Sequence, residues 1–166
     1  MQTDRPPDLQ PGEMLDIYEH PGHLLRRAQQ ISVSIFYDEL GNELTPIQYA
    51  VLRNLAGHPG TDQVSLAALT GIDTSTGATV CARLEEKGLL ERKVIPTNRR
   101  QRALTITKAG ERQLADMIPG AQRLRRRLLA PLTGPEQLQF MELLTKLVQE
   151  NNEQSRAPLT ASTREV

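Results

Sequence analysis

A change of periodicity at Gly88, halfway along the chain, constrains the fold most. Before this glycine, apolar residues recur at the spacing of amphipathic helices. After it, two short apolar runs at residues 90–95 and 103–106 are typical of strands, and the segment 96–100 between them (PTNRR) is typical of a hairpin tip. The sequence therefore predicts a mainly α-helical fold with one small β-hairpin, in the α+β class.

Capping and helix-breaking residues set the limits of four helices before the hairpin. Their expected ranges are from Pro21 to Gly41, from Pro46 (capped by Thr45) to Gly57, from Ser65 to about Thr70, and from residue 74 (capped by Asp73 or Thr74) to about Lys87. Gly71 supplies the turn between the third and fourth helices. Two helices joined by a tight turn that contains glycine form the helix-turn-helix pattern.

Two more helices are expected after the hairpin. Thr107 caps the first of them, and Pro119 with Gly120 is expected to interrupt it with a bend near Met117, because a proline inside a helix costs about 3 kcal/mol. Thr133 and Glu136 form a capping box for the last helix. The apolar stripe of that helix is Met141, Leu144 and Val148, and the polar residues from 151 onward are expected to be frayed.

Composition excludes several classes of protein. Cys81 is the single cysteine, so an internal disulfide framework or a multi-cysteine metal site is excluded. Aromatic residues make up 3% of the chain, too few for a platform that stacks single-stranded nucleic acid. No apolar run approaches the roughly 20 residues of a membrane span, and the sequence has no phosphate loop or nucleophile elbow. We expect a soluble, cytoplasmic chain that is not an enzyme and holds no cofactor.

The formal net charge of zero conceals a local segregation of charge. Residues 1–20 carry five acidic side chains against one basic, whereas residues 83–102 carry seven basic against three acidic. Arg99, Arg100 and Arg102 lie at or beside the hairpin tip, where their like charges repel one another. A phosphate backbone or a narrow minor groove relieves that repulsion. The net charge therefore does not argue against a polyanionic partner.

The helix after Gly71 carries small hydroxyl side chains on its polar side. On a helical wheel, that side comprises Ser75, Thr79, Arg83 and Glu86, with Thr76 at its margin, opposite Gly77, Val80, Cys81 and Leu84. Small hydroxyls let a helix lie deep in a major groove, and arginine forks onto guanine. The alternative is the ordinary polar face of a surface helix, but the arginine-rich hairpin next to it favours DNA. The expected DNA contacts are Ser65, Thr74, Ser75, Thr76, Thr79, Arg83, Asn98, Arg99 and Arg100.

The chain resembles the MarR family of winged helix-turn-helix transcriptional regulators, most closely members near aromatic-acid catabolism genes. The resemblance covers roughly residues 20–150 and rests on segments 21–27 (PGHLLRR), 44–49 (LTPIQY), 83–90 (RLEEKGLL), 98–100 (NRR) and 104–110 (LTITKAG). It implies a homodimer with two winged lobes on a palindromic operator, usually a repressor that a small molecule releases. Asn98 stands where the family's wing usually has aspartate, whereas Arg100 matches its minor-groove arginine.

The resemblance and the sequence pattern together divide the chain into five regions. They are a flexible tail (1–20), a dimerisation helix (21–43), a winged helix-turn-helix lobe (44–107), C-terminal dimerisation helices (108–150) and a second flexible tail (151–166). The dimer also has a physical argument, because the apolar stripes on the first and last helices need partners that the small lobe between them cannot supply.

The polar face of the first helix is a candidate effector site. In members near aromatic-acid catabolism genes the ligand carries a carboxylate and a ring, so Arg26 or Arg27 would bind the carboxylate, His23 a ring substituent, and Tyr49 the ring itself. The alternative is a solvated helix face.

Two other ways of sensing a signal are weighed against this one. His20 and His23 would ligate a metal, but no further ligands are evident in the sequence. Cys81 would act as a redox trigger, although a buried cysteine is most often a small apolar residue. The remaining alternative function is a winged helix that binds another protein rather than DNA.

Overall fold

The computed structural model describes the backbone of residues 16–95 and 98–160, and side chains within this range except those of residues 95 and 98–101. The described part contains six α-helices, one hairpin and one short 3-10 helix. In chain order these are α1 (Pro21–Leu40), α2 (Pro46–Gly57), α3 (Gln63–Thr70), α4 (Thr74–Glu86), β1 (Leu90–Ile95), β2 (Asn98–Ile106), α5 (Lys108–Leu129), α6 (Gly134–Glu150) and the 3-10 helix Asn152–Gln154. This is the mainly helical α+β fold that the sequence predicts.

The helix ends follow the predicted caps, with one exception. Thr45 and Gln48 form a capping box at α2, and the N–H of Gly110 donates to the Thr107 hydroxyl at 3.1 Å. The exception is α3, which begins at Gln63 rather than Ser65. It begins earlier because the Asp62 carboxylate accepts the N–H groups of residues 64 and 65, at 2.9 and 3.0 Å, and so acts as the N-cap.

The hairpin is antiparallel, and its second strand begins earlier than predicted. Leu90 pairs with Ile106 and Val94 with Arg102, but Ile95 pairs with Asn98 after an irregularity in the register. Six of the nine residues of β2 therefore pair with the six residues of β1, and the extra residues of β2 lie at the irregularity. Residues 98–100, which the sequence assigned to the tip, therefore lie in β2.

Helix α5 runs from Lys108 to Leu129 with Pro119 inside it, so the predicted interruption at Pro119 is wrong, whereas the bend near Met117 stays a prediction. A proline removes a single N–H donor, and α5 packs along α1 closely enough to outweigh that loss. Gly120 lies directly against the backbone of α1, where a Cβ atom would be 2.4 Å from the carbonyl oxygen of Glu39. The same carbonyl accepts a hydrogen bond of 3.1 Å from the Arg123 guanidinium.

One apolar core lies within the winged lobe and extends to α1 and α5. Leucines supplied by α2, α3, α4 and both strands are fully buried in it, namely Leu52, Leu55, Leu66, Leu84, Leu90 and Leu104, together with Leu44 before α2. Phe36 of α1 and Met117 of α5 join the same cluster. The core therefore fixes α3 and α4 against the rest of the protomer.

The segment after α6, which the sequence predicts to be frayed, folds back in its described part. The side-chain amide of Asn152 donates to the carbonyl of Leu159 and accepts its N–H, at 3.1 and 2.8 Å. The N–H of Thr160 donates to the carbonyl of Ala68 in α3 at 3.3 Å. Residues 151–160 are thus fastened to the helix-turn-helix. No helix of the described chain is long and apolar enough to cross a membrane.

Candidate DNA and effector sites

Helices α3 and α4 cross at a close contact that sets the position of α4. Gly71 ends α3 with a left-handed φ of 69°, which favours glycine. A Cβ atom on Gly77 would lie 2.8 Å from the Cβ of Ala67, so only glycine permits this separation of the two helices. The buried side of α4 is the one predicted, namely Gly77, Val80, Cys81 and Leu84.

Three hydroxyl groups of α4 hydrogen-bond to neighbouring groups. The hydroxyls of Ser75 and Thr76 each contact one oxygen of the Asp73 carboxylate, both at 2.6 Å. The N–H of Thr76 also donates to that carboxylate, at 2.9 Å. The Thr79 hydroxyl donates to the carbonyl of Ser75 at 3.1 Å. These hydroxyl bonds hold the pKa of Asp73 well below its usual range.

The same arrangement occurs at the start of α3. The Ser65 hydroxyl donates to the Asp62 carboxylate at 2.7 Å, and the hydrogen bonds from Ser65 lower the pKa of Asp62. At the start of both helices of the helix-turn-helix, an aspartate carboxylate therefore accepts a hydrogen bond from a hydroxyl group. Sequence reasoning named Asp73 only as a cap and missed its bonds to the hydroxyls, although a serine or threonine two or three residues after an N-cap aspartate is a readable signal.

Ion pairs reduce the positive charge beside the hairpin. The Nε atom of Arg92 lies 2.9 Å from Glu85, and Lys93 lies 2.6 Å from Glu91, an ion pair that lowers the pKa of that carboxyl. Lys87 donates to the backbone carbonyl of Glu43. Among the described side chains, Arg83 is exposed and has no ion-pair partner. The positive charge that can attract a polyanion is therefore confined to fewer side chains than the count of basic residues indicates.

The predicted wing residues Asn98, Arg99 and Arg100 lie on β2 by backbone position, and their side chains are outside the described part. Arg102, on the same strand, is exposed and pairs with Val94 across the hairpin. The hairpin follows directly from α4, so the wing and the hydroxyl face of α4 belong to one lobe. Thr74, the first residue of α4, is also exposed.

Three of the four predicted effector residues lie on one stretch of α1. The rings of His23 and Tyr18 meet edge to face at 5.7 Å, Arg27 donates to Gln30 at 3.0 Å, and Arg26 is exposed. Tyr49 instead packs on Phe36 at 5.9 Å.

Phe36 is 13 residues from His23 on the same helix, which corresponds to about 20 Å of rise. One protomer therefore does not bring Tyr49 to His23.

The residues considered for metal and redox sensing have other roles in the described structure. The Nδ1 atom of His20 accepts the N–H of Gly22 at 3.2 Å and caps α1. No group of three potential metal ligands occurs among the described residues. Cys81 is 1% exposed in the core, and burial raises the pKa of its thiol, which disfavours the reactive thiolate.

Helix α6 exposes a wider apolar face than the predicted stripe. No residue of α6 is buried, and Leu138, Phe140, Leu143 and Leu147 are exposed in addition to Met141 and Val148. Leu25 of α1 is 48% exposed and faces α6 across open grooves of about 500 and 570 Å³, both also lined by Phe140 and Leu144. A continuous exposed apolar surface of this kind is typical of an interaction site.

Comparison with known proteins matches this architecture. A profile of the MarR family matches residues 42–101, which include most of the winged lobe. The transcriptional repressor NicR of Pseudomonas putida is 31% identical over 134 residues, which cover 80% of this chain and 85% of NicR.

Two solved structures are similar to most of the chain. The PcaV transcriptional regulator of Streptomyces coelicolor, solved with its natural ligand, has a TM-score of 0.77 and 35% identity, and the match covers 82% of this chain and 96% of PcaV. Bordetella bronchiseptica BpsR, whose DNA binding is regulated by 6-hydroxynicotinic acid, has a TM-score of 0.76 and 31% identity, covering 81% and 96%. These relatives are regulators rather than enzymes. The chain therefore belongs to the MarR family of DNA-binding, winged-helix transcriptional regulators.

Proposed function

We propose that the protein is a homodimeric repressor that binds a palindromic double-stranded operator and is released by a small aromatic carboxylic acid. Helix α4 reads the major groove, and the wing residues Asn98, Arg99 and Arg100 bind in the adjacent minor groove. The observation that carries this proposal is the division of α4 into a fully buried side and an exposed side that bears Ser75, Thr79 and Arg83. A protein with this role works in the cytoplasm, together with the DNA it binds.

The exposed apolar face of α6 supports the proposal of a dimer. An apolar helix that touches little of its own protomer is stabilised when an identical helix from a second copy covers it. A two-fold axis through that contact relates the two α4 helices. It would set them about one turn of DNA, or a multiple of one turn, apart. The operator is then an inverted repeat with the same spacing.

The aromatic-acid effector is supported by BpsR, which responds to 6-hydroxynicotinic acid, and by the chemistry of α1. Arg26 and Arg27 supply guanidinium groups for a carboxylate, and His23 supplies a hydrogen bond for a ring substituent. Within one protomer Tyr49 packs on Phe36, so it joins this site only where the second protomer places it beside His23. The effector acts through its different affinities for the DNA-bound and DNA-free arrangements of the two lobes.

The test is selection of duplexes from a random double-stranded pool at near-physiological salt, followed by a promoter–reporter assay on the selected site. We expect an inverted repeat, repression of the reporter, and loss of DNA binding when an aromatic acid is added. Arg26→Ala together with Arg27→Ala should leave DNA binding intact and abolish the response to the acid. No enrichment from an intact dimeric preparation would contradict DNA reading and favour a protein partner for the winged lobe.

A further inference from the structure

The hydroxyl protons of Ser75, Thr76 and Thr79 on the exposed face of α4 are already engaged in hydrogen bonds within the protein. A carboxylate that is ionised accepts hydrogen bonds and does not donate them, so the hydroxyls of Ser75 and Thr76 are the donors in their 2.6 Å contacts with Asp73. A backbone carbonyl likewise only accepts, so Thr79 is the donor to Ser75. All three hydroxyl protons are therefore engaged by acceptors of α4 and its N-cap residue.

What remains on this face is a row of acceptors. Each hydroxyl oxygen has one proton and two lone pairs, so a group approaching from outside meets lone pairs. In the major groove, adenine N6 and cytosine N4 donate, whereas guanine O6, the purine N7 atoms and thymine O4 accept. Phosphate oxygens also accept, and the charge of Asp73 repels them. Arg83, two turns further along the helix, is the donor on the same face.

We propose that Asp73 is a specificity-determining residue, which holds the hydroxyls of Ser75 and Thr76 as acceptors so that α4 selects base amino groups over base carbonyls and phosphates. The inference rests on the proposed function, because it requires α4 to lie in the major groove. Asp73 itself touches no base and acts by positioning the two hydroxyls.

A purely structural role for Asp73 would be that of a helix cap. Asparagine caps helices about as well as aspartate, so Asp73→Asn keeps the hydrogen bond to the N–H of Thr76. It removes the charge. Because the oxygen that accepts the Thr76 N–H also accepts the Ser75 hydroxyl, the amide N–H₂ replaces the oxygen that faces the Thr76 hydroxyl, and the Thr76 hydroxyl proton is free to donate outward. The matched control is Asp62→Asn, which makes the same change at the N-cap of α3 beside Ser65.

The experiment uses the full-length dimer and the operator that the wild type selects. Each adenine in turn is replaced by purine, which lacks the N6 amino group, and each cytosine by 2-pyrimidinone, which lacks N4. We expect the wild type to lose affinity about five- to tenfold at the positions that Ser75 and Thr76 read. Asp73→Asn should lose less than twofold at the position that Thr76 reads, should keep the wild-type dependence at the position that Ser75 reads, and should bind random duplex more tightly. The position read by Thr79 should keep its dependence in the variant, because the donor bond of Thr79 goes to a carbonyl.

Three results separate the possibilities. If the wild type selects an operator but is insensitive to every amino deletion, the inference is wrong and the proposed function stands. If Asp73→Asn keeps the wild-type profile, or if Asp62→Asn changes the profile equally, the inference is also wrong. If the wild type selects no operator, both fail. Should Asp73→Asn unfold, Ser75→Ala and Thr76→Ala provide the test, since each should lose the amino dependence at its own position alone.

Discussion

The winged lobe and α6 differ in how far their apolar residues are buried within the protomer. Fully buried leucines fill the lobe, whereas α6, of similar apolar content, buries no residue in its own protomer. Burial of apolar surface drives folding and association alike, at roughly 25 cal/mol per Å². The lobe therefore obtains its stability within one chain, whereas in the proposed dimer a second chain covers α6. Substitutions in the two regions should accordingly change different measurable quantities.

The largest effect is expected from Leu52→Ala in the lobe. Leu52 is fully buried, and its truncation leaves a cavity, which lowers the free energy of unfolding by about 2–5 kcal/mol. Urea denaturation measures this change. The dimer dissociation constant should remain within about twofold of wild type. A much weaker dimer with unchanged unfolding would show that the lobe and the dimer contact are not separate.

Leu147→Glu in α6 should have the converse effect. Leu147 is 46% exposed in the protomer, and an unpaired charge buried in a dimer contact weakens that contact about a hundredfold or more. Sedimentation equilibrium measures the dissociation constant. Gln149→Glu, which adds the same charge on another side of α6, should leave it unchanged. Equal dissociation of both variants would indicate that charge rather than the apolar face is responsible.

Gly77→Ala tests the crossing of α3 and α4. The added methyl group would lie 2.8 Å from the Cβ of Ala67, so the helices must separate, at a cost of about 1–3 kcal/mol. Thermal unfolding and operator affinity should both fall. Gly57→Ala is the control, because a Cβ atom there meets open space. An unperturbed Gly77→Ala variant would disprove the tight crossing.

Arg83→Ala should spare folding and dimerisation and alter DNA reading. We expect a loss of about tenfold on the selected operator and relaxed preference at particular base pairs. Arg100→Ala should instead weaken binding to all sequences and reduce the salt slope by about one. Titrations at several salt concentrations, on specific and random duplexes, distinguish the two outcomes. Equal losses on both duplexes in both variants would contradict this division between helix and wing.

The smallest effect is the pH dependence that arises where α1 meets α5. The guanidinium of Arg123, 2.8 Å from Glu39, holds the pKa of that carboxyl below its ordinary value, and Arg127 adds to the effect. A depressed pKa in the folded state stabilises the fold above the ordinary carboxyl pKa, and this contribution is lost as the pH falls below it. Glu39→Gln should therefore flatten the acid limb of the stability curve. An identical curve for wild type and variant would contradict the linkage.

Local signals in the sequence predicted much of the fold and the buried side of α4. The caps at Thr45 and Thr107 act within three residues, so the sequence displays them directly. The continuity of α5 through Pro119 could not be predicted from the sequence, because it depends on contact with Glu39, 80 residues away. The early start of β2 depends likewise on strand register. The predicted DNA-contact and effector residues remain predictions, since they require partners outside the protomer.

The most direct test of the account is the affinity of the protein for a full inverted-repeat duplex compared with one in which a half-site is scrambled. Fluorescence anisotropy at near-physiological salt gives both affinity and stoichiometry. We predict two protomers per full duplex and at least a tenfold weaker affinity for the scrambled one, because each lobe reads its own half-site. Equal affinity for the two duplexes, with one protomer bound, would contradict the dimeric reader.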